Sequence, residues 1–121
     1  MKRSLKLMPD YFSHPLWGLD LDNIGDIDPQ TLPLSPETIQ QLKSWRETYD
    51  TILNWDDPAS SGFASEQDKI NFERQGIELW YKLRQELAPN YEIQYFSTCL
   101  QQVLLHPDEL QNSELTAIAM S

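Results

Sequence analysis

Cysteine, glycine-rich loops and long apolar runs are scarce in this chain, and each scarcity excludes a class of protein. Because Cys99 is the only cysteine, no disulfide can form within the chain, which favours a reducing compartment. Met1-Lys2-Arg3 carries positive charge, but the next residues alternate in polarity and do not form the apolar core of a secretory signal. No apolar run approaches the length of a membrane span. These absences predict a cytoplasmic protein without a membrane partner.

Positive charge is missing from two long stretches of the sequence. No Lys or Arg occurs between Leu7 and Leu42, or from Gln85 to Ser121, although the chain has 19 acidic residues and a net charge of −10. Such a field repels phosphate backbones, so no nucleic acid is expected as a partner. It favours fast encounter with a basic protein. Solubility alone is the commoner reason for an acidic surface, and it remains the simpler explanation.

Two amphipathic helices are the clearest structural signals. Ser35–Glu37 supplies an N-cap, a proline at the first helical position and an acid in the first turn. The apolar residues that follow lie on one side of a helix over 36–55, and Pro58 prevents its continuation. A capping-box-like sequence begins a second helix over 65–87. Its wider apolar face predicts contact with two neighbouring elements.

Two ionisable residues, Glu73 and Arg84, interrupt the apolar face of the second helix. They are too far apart along the helix to contact each other. A charge on a packed face is costly unless it is paired. We therefore expect both side chains to lie at the edge of the packed face, with their charged ends in water.

Short alternating segments predict a small β-sheet. Residues 4–8 and 91–96 alternate polar and apolar side chains, as strands with one buried face do. The segment from Leu16 to Ile27 has a period of two and turn-forming residues, which favours one short strand or a hairpin. A long helical excursion separates the two outer strands, so they could pair as neighbours in either direction.

These elements predict an α+β fold. We expect a two-layer arrangement in which a small β-sheet is covered by two long amphipathic helices. The length of the chain predicts one domain over residues 1–121. The pattern leaves 97–121 open as a helix, a strand or a C-terminal extension that packs on the domain or on another copy of the chain.

The loop between the two helices contains the candidate site. Asp56 and Asp57 follow Trp55, and Phe63 stands near the end of the same loop. Aromatic side chains beside charges are typical of protein interaction surfaces. We therefore predict that Trp55, Asp56, Asp57 and Phe63 bind a partner. Ordinary turn chemistry explains adjacent acids before a proline more simply.

The acidic segment from Asp20 to Asp28 partly matches a calcium-binding loop. Its first acids and Gly25 stand at suitable positions. Two anchoring ligands are missing. Ile24 has no side-chain oxygen at the fifth position of the loop, and Thr31 stands at the twelfth position, where a bidentate Glu is required. A solvated acidic turn is the default interpretation, and we predict no metal ligand in this chain.

No group of residues forms a catalytic motif. Neither His14 nor His106 has a second His or Cys at the spacing of a zinc site. Cys99 has no basic neighbour in sequence to activate its thiol. We therefore predict no catalytic residue and no cofactor. An enzyme with an acid–base site near Asp56 and Asp57, or His14, is kept as an alternative.

A series of short motifs runs through most of the chain. They are Lys6-Leu7-Met8-Pro9-Asp10-Tyr11, Pro15-Leu16-Trp17, Ile27-Asp28-Pro29, Leu32-Pro33-Leu34-Ser35, Trp45, Tyr49-Asp50, Asp56-Asp57-Pro58 and Gly62-Phe63. Over about residues 5–96 the series resembles a family of small acidic bacterial proteins of unassigned function. The resemblance implies a bacterial cytoplasmic domain and supplies no catalytic residue.

The leading hypothesis is an interaction protein. By analogy with small acidic immunity proteins that neutralise toxins, it would be an immunity-like inhibitor of a basic protein partner. One alternative is a divalent-cation-responsive module that uses the Asp20–Asp28 loop. The other is the enzyme with an acid–base site near Asp56 and Asp57. A homodimer remains open as a further partner arrangement.

Overall fold

A computed structural model shows a five-stranded mixed sheet and two helices, which confirms the α+β class. The structure describes residues 3–10, 14–21, 24–52, 62–63, 65–98 and 100–112, with the backbone alone for 110–112. In chain order the elements are β1 (Arg3–Leu7), β2 (Leu16–Gly18), β3 (Gly25–Ile27), a 3₁₀ helix (Pro29–Thr31), α1 (Pro36–Asp50), α2 (Glu66–Leu87), β4 (Tyr91–Ser97), β5 (Gln102–Leu104) and a second 3₁₀ helix (Pro107–Asn112). No helix of the described part is long and apolar enough to cross a bilayer.

The order of strands in the sheet is β3-β2-β1-β4-β5. The two outer strands predicted from the sequence are neighbours, and they run parallel, with Arg3 opposite Tyr91 and Leu7 opposite Tyr95. The two helices therefore form the crossover that parallel neighbours require. β2 and β3 form an antiparallel hairpin, and Gly25 adopts a positive φ of 111° where this hairpin turns.

The C-terminal part that the sequence left open begins with a strand. β5 pairs antiparallel with the end of β4, with Leu104 opposite Tyr95. The alternation of Gln102–Leu104 buries Leu104 and leaves Val103 39 % exposed at the surface. The tail after Asn112 lies outside the described residues.

Alternate residues of the strands form the core against α2. Leu5, Leu7, Ile93 and Tyr95 are each 3 % exposed or less. Trp80 of α2 lies on the Tyr95 ring at a centroid distance of 5.3 Å. Its indole Nε1 donates a hydrogen bond to the Ile93 carbonyl oxygen at 2.8 Å. One face of the sheet is therefore fastened to α2 by both ring packing and a buried hydrogen bond.

Glu73 lies inside this core, so the prediction of an edge position for it is wrong. Its side chain is fully buried and accepts hydrogen bonds from the hydroxyls of Ser97, at 2.6 Å, and Thr98, at 2.8 Å. The Thr98 backbone N–H donates to it at 3.2 Å. Buried polar groups are tolerated when they are hydrogen-bonded in this way. Arg84 is half-buried, with its Nη2 lying 3.2 Å from His106 Nε2.

The start of α1 agrees with the sequence, but its predicted end does not. The Ser35 hydroxyl accepts a hydrogen bond from the Thr38 N–H at 3.2 Å, as an N-cap does. The helix ends at Asp50 and does not continue to 55. The Ile52 N–H donates to the Tyr49 carbonyl at 3.2 Å, three residues back, which shows that the α-helical spacing has been left.

Glu86 of α2 holds the beginning of α1. The Ser35 N–H donates to Glu86 Oε1 at 2.7 Å, and the hydroxyls of Ser35 and Thr38 donate to Oε2. Burial raises the pKa of Glu86, but the Ser35 N–H, these hydroxyls and nearby Lys82 outweigh it and bring the pKa below its ordinary value of 4.5. The carboxylate is therefore the form that stabilises the contact between the helices.

We expect Glu86→Gln to destabilise the protein at neutral pH and to matter less in acid. A lowered pKa contributes stability above the ordinary value of 4.5, and that contribution is lost as the pH falls through the folded-state pKa. Urea unfolding at several pH values between about 7 and 3 measures the effect. Glu78→Gln, on the exposed side of the same helix, is the control. A stability difference from wild type that stays constant over this range would contradict the assignment.

Candidate interaction surface

The predicted partner-binding loop is described only at its ends. Trp55, Asp56 and Asp57 lie outside the described residues, so their contact with a partner stays a prediction. Phe63 is half-buried, and its ring centroid lies 5.2 Å from that of Phe72 in the core. The Gly62 N–H donates to the Ile52 carbonyl at 3.2 Å, which joins the two ends of the loop. Packing of Phe63 on the core therefore fixes the described end of the loop against α2.

The described acids of the 20–28 segment serve separate local purposes. Asp20 Oδ2 accepts the Ser4 N–H at 3.0 Å and holds the chain beside β1. Asp28 Oδ1 accepts the Gln30 N–H at 2.9 Å and caps the first 3₁₀ helix. Within the described part of the chain, no group of three or more His, Cys, Asp or Glu side chains could hold a metal ion. Asp22 lies outside the described residues, so the cation-responsive alternative stays a prediction.

His14 pairs with Asp26 on the outside of the sheet. His14 Nδ1 lies 2.6 Å from Asp26 Oδ1, and the His14 N–H donates to Oδ2 at 2.7 Å. Both side chains are more than a third exposed. The pair holds the start of β2 against β3. The enzyme alternative at His14 stays a prediction.

Exposed apolar side chains cluster at the β2–β3 hairpin. Leu21 is 96 % exposed, Ile24 68 % and Leu19 37 %. The carboxylates of Asp20 and Asp26 lie in the same hairpin. The sequence of this segment predicted one short strand or a hairpin and a partial match to a cation loop, but not an interaction surface. The signal available was apolar residues placed between acids in a stretch without any basic residue.

A groove of about 750 Å³ opens at the opposite end of the sheet. It lies between the C-terminal end of α2 and residues 91–94 of β4, where β5 no longer pairs with that strand. Arg84 and His106 line it, together with Glu92. The groove therefore carries both signs of charge, in contrast to the acidic hairpin.

A model of one protein family matches residues 3–98. The chain belongs to the Serratia CdiI immunity protein-like family. The match begins with β1 and ends one residue after β4, so β5 and the second 3₁₀ helix lie beyond it. It covers nearly the same residues as the motif resemblance, which it confirms. No match to the chain is found among the curated proteins.

Proposed function

We propose that this protein is an immunity protein, which binds a protein toxin and inhibits it. The single observation that carries the proposal is the match to the immunity protein-like family over residues 3–98. An inhibitor of this kind needs a stable scaffold and an accessible surface, and it needs no catalytic group of its own. We infer a single two-layer domain, with both amphipathic helices on one face of the sheet, as that scaffold.

The toxin is proposed to be basic. The net charge of −10 and the two stretches without Lys or Arg support this choice, because opposite charge accelerates encounter and excludes other acidic proteins. We place the interaction in the bacterial cytoplasm. The affinity of the complex should then fall as the salt concentration rises, because screening weakens interactions between exposed charges.

The experiment begins with the intact protein as bait in a native lysate, eluted with increasing salt and identified by mass spectrometry. The captured protein is then produced in cells with and without this chain. The proposal expects the captured protein to arrest growth and the chain to relieve that arrest. If the captured proteins have no effect on growth, or if the chain does not relieve the effect, the chain is not an immunity protein for them.

We also propose that the loop with Trp55, Asp56, Asp57 and Phe63 contacts the toxin. Trp55→Ala removes an aromatic anchor and Asp56→Lys reverses a charge, so each should weaken binding about tenfold or more. Isothermal titration with the captured toxin measures the change. The melting temperature of each variant must remain close to that of wild type, so that a loss of affinity can be assigned to the loop contact. Unchanged affinity in both variants would remove the loop from the interface and leave the proposed function standing.

A further inference from the structure

The sheet has a second face that points away from the core. Because side chains alternate along a strand, Lys6, Trp17 and Asp26 share a row across β1, β2 and β3. On the other side of β1, Gln94 stands opposite Lys6, and Phe96 lies two residues further along β4, opposite Val103. Leu19 and Ile24 lie just beyond the paired residues of β2 and β3, and both are exposed. We call the strand surface together with these two hairpin residues the open sheet face; its members used below are Trp17, Leu19, Ile24, Asp26, Phe96 and Val103.

None of the contacts of α2 that we describe lies on this face. Trp80 packs on Tyr95, and Glu73 bonds to Ser97, and both strand residues alternate with Phe96. The apolar members of the open sheet face are accordingly less covered than the core. Phe96 and Trp17 are half-buried, whereas Val103 and Ile24 are exposed. Apolar area of this kind marks interaction sites on small soluble proteins.

The side chain of Trp17, in the central row of this face, has a fixed orientation. Its indole Nε1 donates to the Met8 carbonyl oxygen at 3.0 Å, which fixes the orientation of the ring. A rigid aromatic side chain loses little conformational freedom when it is covered by a partner. Tryptophan is also among the residues that contribute most to binding energy at interfaces.

The charge around the open sheet face is complementary to a basic partner. Asp26 lies on it, with Asp20 and Asp28 in the same hairpin region, and Glu92 stands opposite Ser4 on β4. Lys6 is the only basic residue at the described strand positions of this face. Every basic residue after Lys6 lies on α1 or α2. The helices also carry acids, but they mix them with these basic residues, whereas Lys6 alone stands among the acids at the described positions of the open sheet face. A basic surface should therefore meet less repulsion at the open sheet face than at the helices.

We propose that the open sheet face is a docking surface for the toxin, separate from the proposed loop contact. The toxin would present a basic surface whose apolar centre covers Trp17, Leu19 and Ile24. This inference rests on the proposed function and goes beyond it. The predicted partner-binding loop of this chain contacts the domain on the helix side, where Phe63 packs on Phe72 of α2. Variants in the two regions can therefore be compared separately.

The test uses the toxin captured by the wild-type protein and identified by its growth arrest. Ile24→Lys replaces a 68 % exposed apolar side chain with a cation, so its dissociation constant should rise about tenfold or more. Ile24→Ser removes the apolar contact alone and should have a smaller effect. Tyr81→Lys is the matched control, because Tyr81 is 48 % exposed and lies on α2, away from the open sheet face. This variant should change the dissociation constant by less than about twofold. Thermal unfolding checks that each variant remains folded.

Three other outcomes would contradict the proposed docking surface, and they can be told apart. Equal affinities for wild type and Ile24→Lys would overturn it while the growth protection by the wild-type chain still supported the immunity function. A dimer seen by light scattering that Ile24→Lys converts to a monomer would assign the face to a second copy of the chain. If no captured protein is toxic, the proposed function and this inference fail together.

Discussion

Glu73→Ala is expected to destabilise the protein by about 3 kcal/mol, which corresponds to a fall in melting temperature of roughly 10 °C. The side chain is fully buried and accepts three hydrogen bonds, from the Ser97 hydroxyl and from the hydroxyl and N–H of Thr98. Alanine would leave these donors without an acceptor and would open a cavity as well. Both effects belong to the few mechanisms that produce large losses of stability.

The effect should extend to the strand that follows. The Ser97 hydroxyl that donates to Glu73 also accepts the Leu100 N–H at 3.0 Å, so one hydroxyl links α2 to the turn between β4 and β5. Hydrogen exchange in residues 100–104 should therefore accelerate in Glu73→Ala. Thermal and urea unfolding give the stability, and Glu78→Ala on the exposed side of α2 should change it by less than about 0.5 kcal/mol. A Glu73→Ala variant as stable as this control would show that the buried network contributes nothing.

Gly76→Ala is expected to destabilise the protein by about 2 kcal/mol, although alanine is the better helix former by about 1 kcal/mol. A Cβ at this position would lie 2.5 Å from Tyr95 Oη and 2.8 Å from Trp45 Cζ2. Neither ring can easily withdraw. Trp45 stacks on Phe72 at a centroid distance of 4.6 Å and donates its indole N–H to the Phe72 carbonyl. Overpacking therefore outweighs helix propensity at this residue.

The neighbouring residue provides the comparison for Gly76. Gln75 is exposed on the same helix, so Gln75→Ala should be neutral or slightly stabilising. Gly76→Val, with its larger branched side chain, should prevent cooperative folding. Urea unfolding followed by tryptophan fluorescence reports both the stability and the environment of Trp45. If Gly76→Ala raised the stability, the close approach of Tyr95 and Trp45 to α2 would be disproved.

Local signals predicted the beginnings of the helices and the strands well. Ser35 and Ser65 cap α1 and α2 through the N–H groups of Thr38 and Asp68, as their sequences indicated. The polar and apolar alternation over 91–96 corresponds to the alternation of buried and less buried side chains along β4. Each of these features depends on residues within a few positions of one another, so the sequence contains the whole interaction. The end of α1 was predicted too late because no such signal stands at Asp50.

The candidate site depends more on distant parts of the chain. The sequence placed Trp55, Asp56, Asp57 and Phe63 in one loop, and the structure adds that Phe63 packs on Phe72. The open sheet face was not predicted, because it requires the register between β1, β2 and β4. The apolar spacing of Trp17 and Leu19 indicates a strand, but it does not say which side of that strand another element covers.

The sequence by itself determined the α+β class, the helix starts and the excess of negative charge, since all of these follow from composition and short-range periodicity. Only the tertiary structure decided that β1 and β4 run parallel, because the direction depends on the path that the chain takes between the two strands through α1 and α2. It also decided that Glu73 is buried. The partners of that carboxylate lie 24 and 25 positions away along the chain, and a polar residue on an apolar helix face becomes favourable only when folding brings its donors to it.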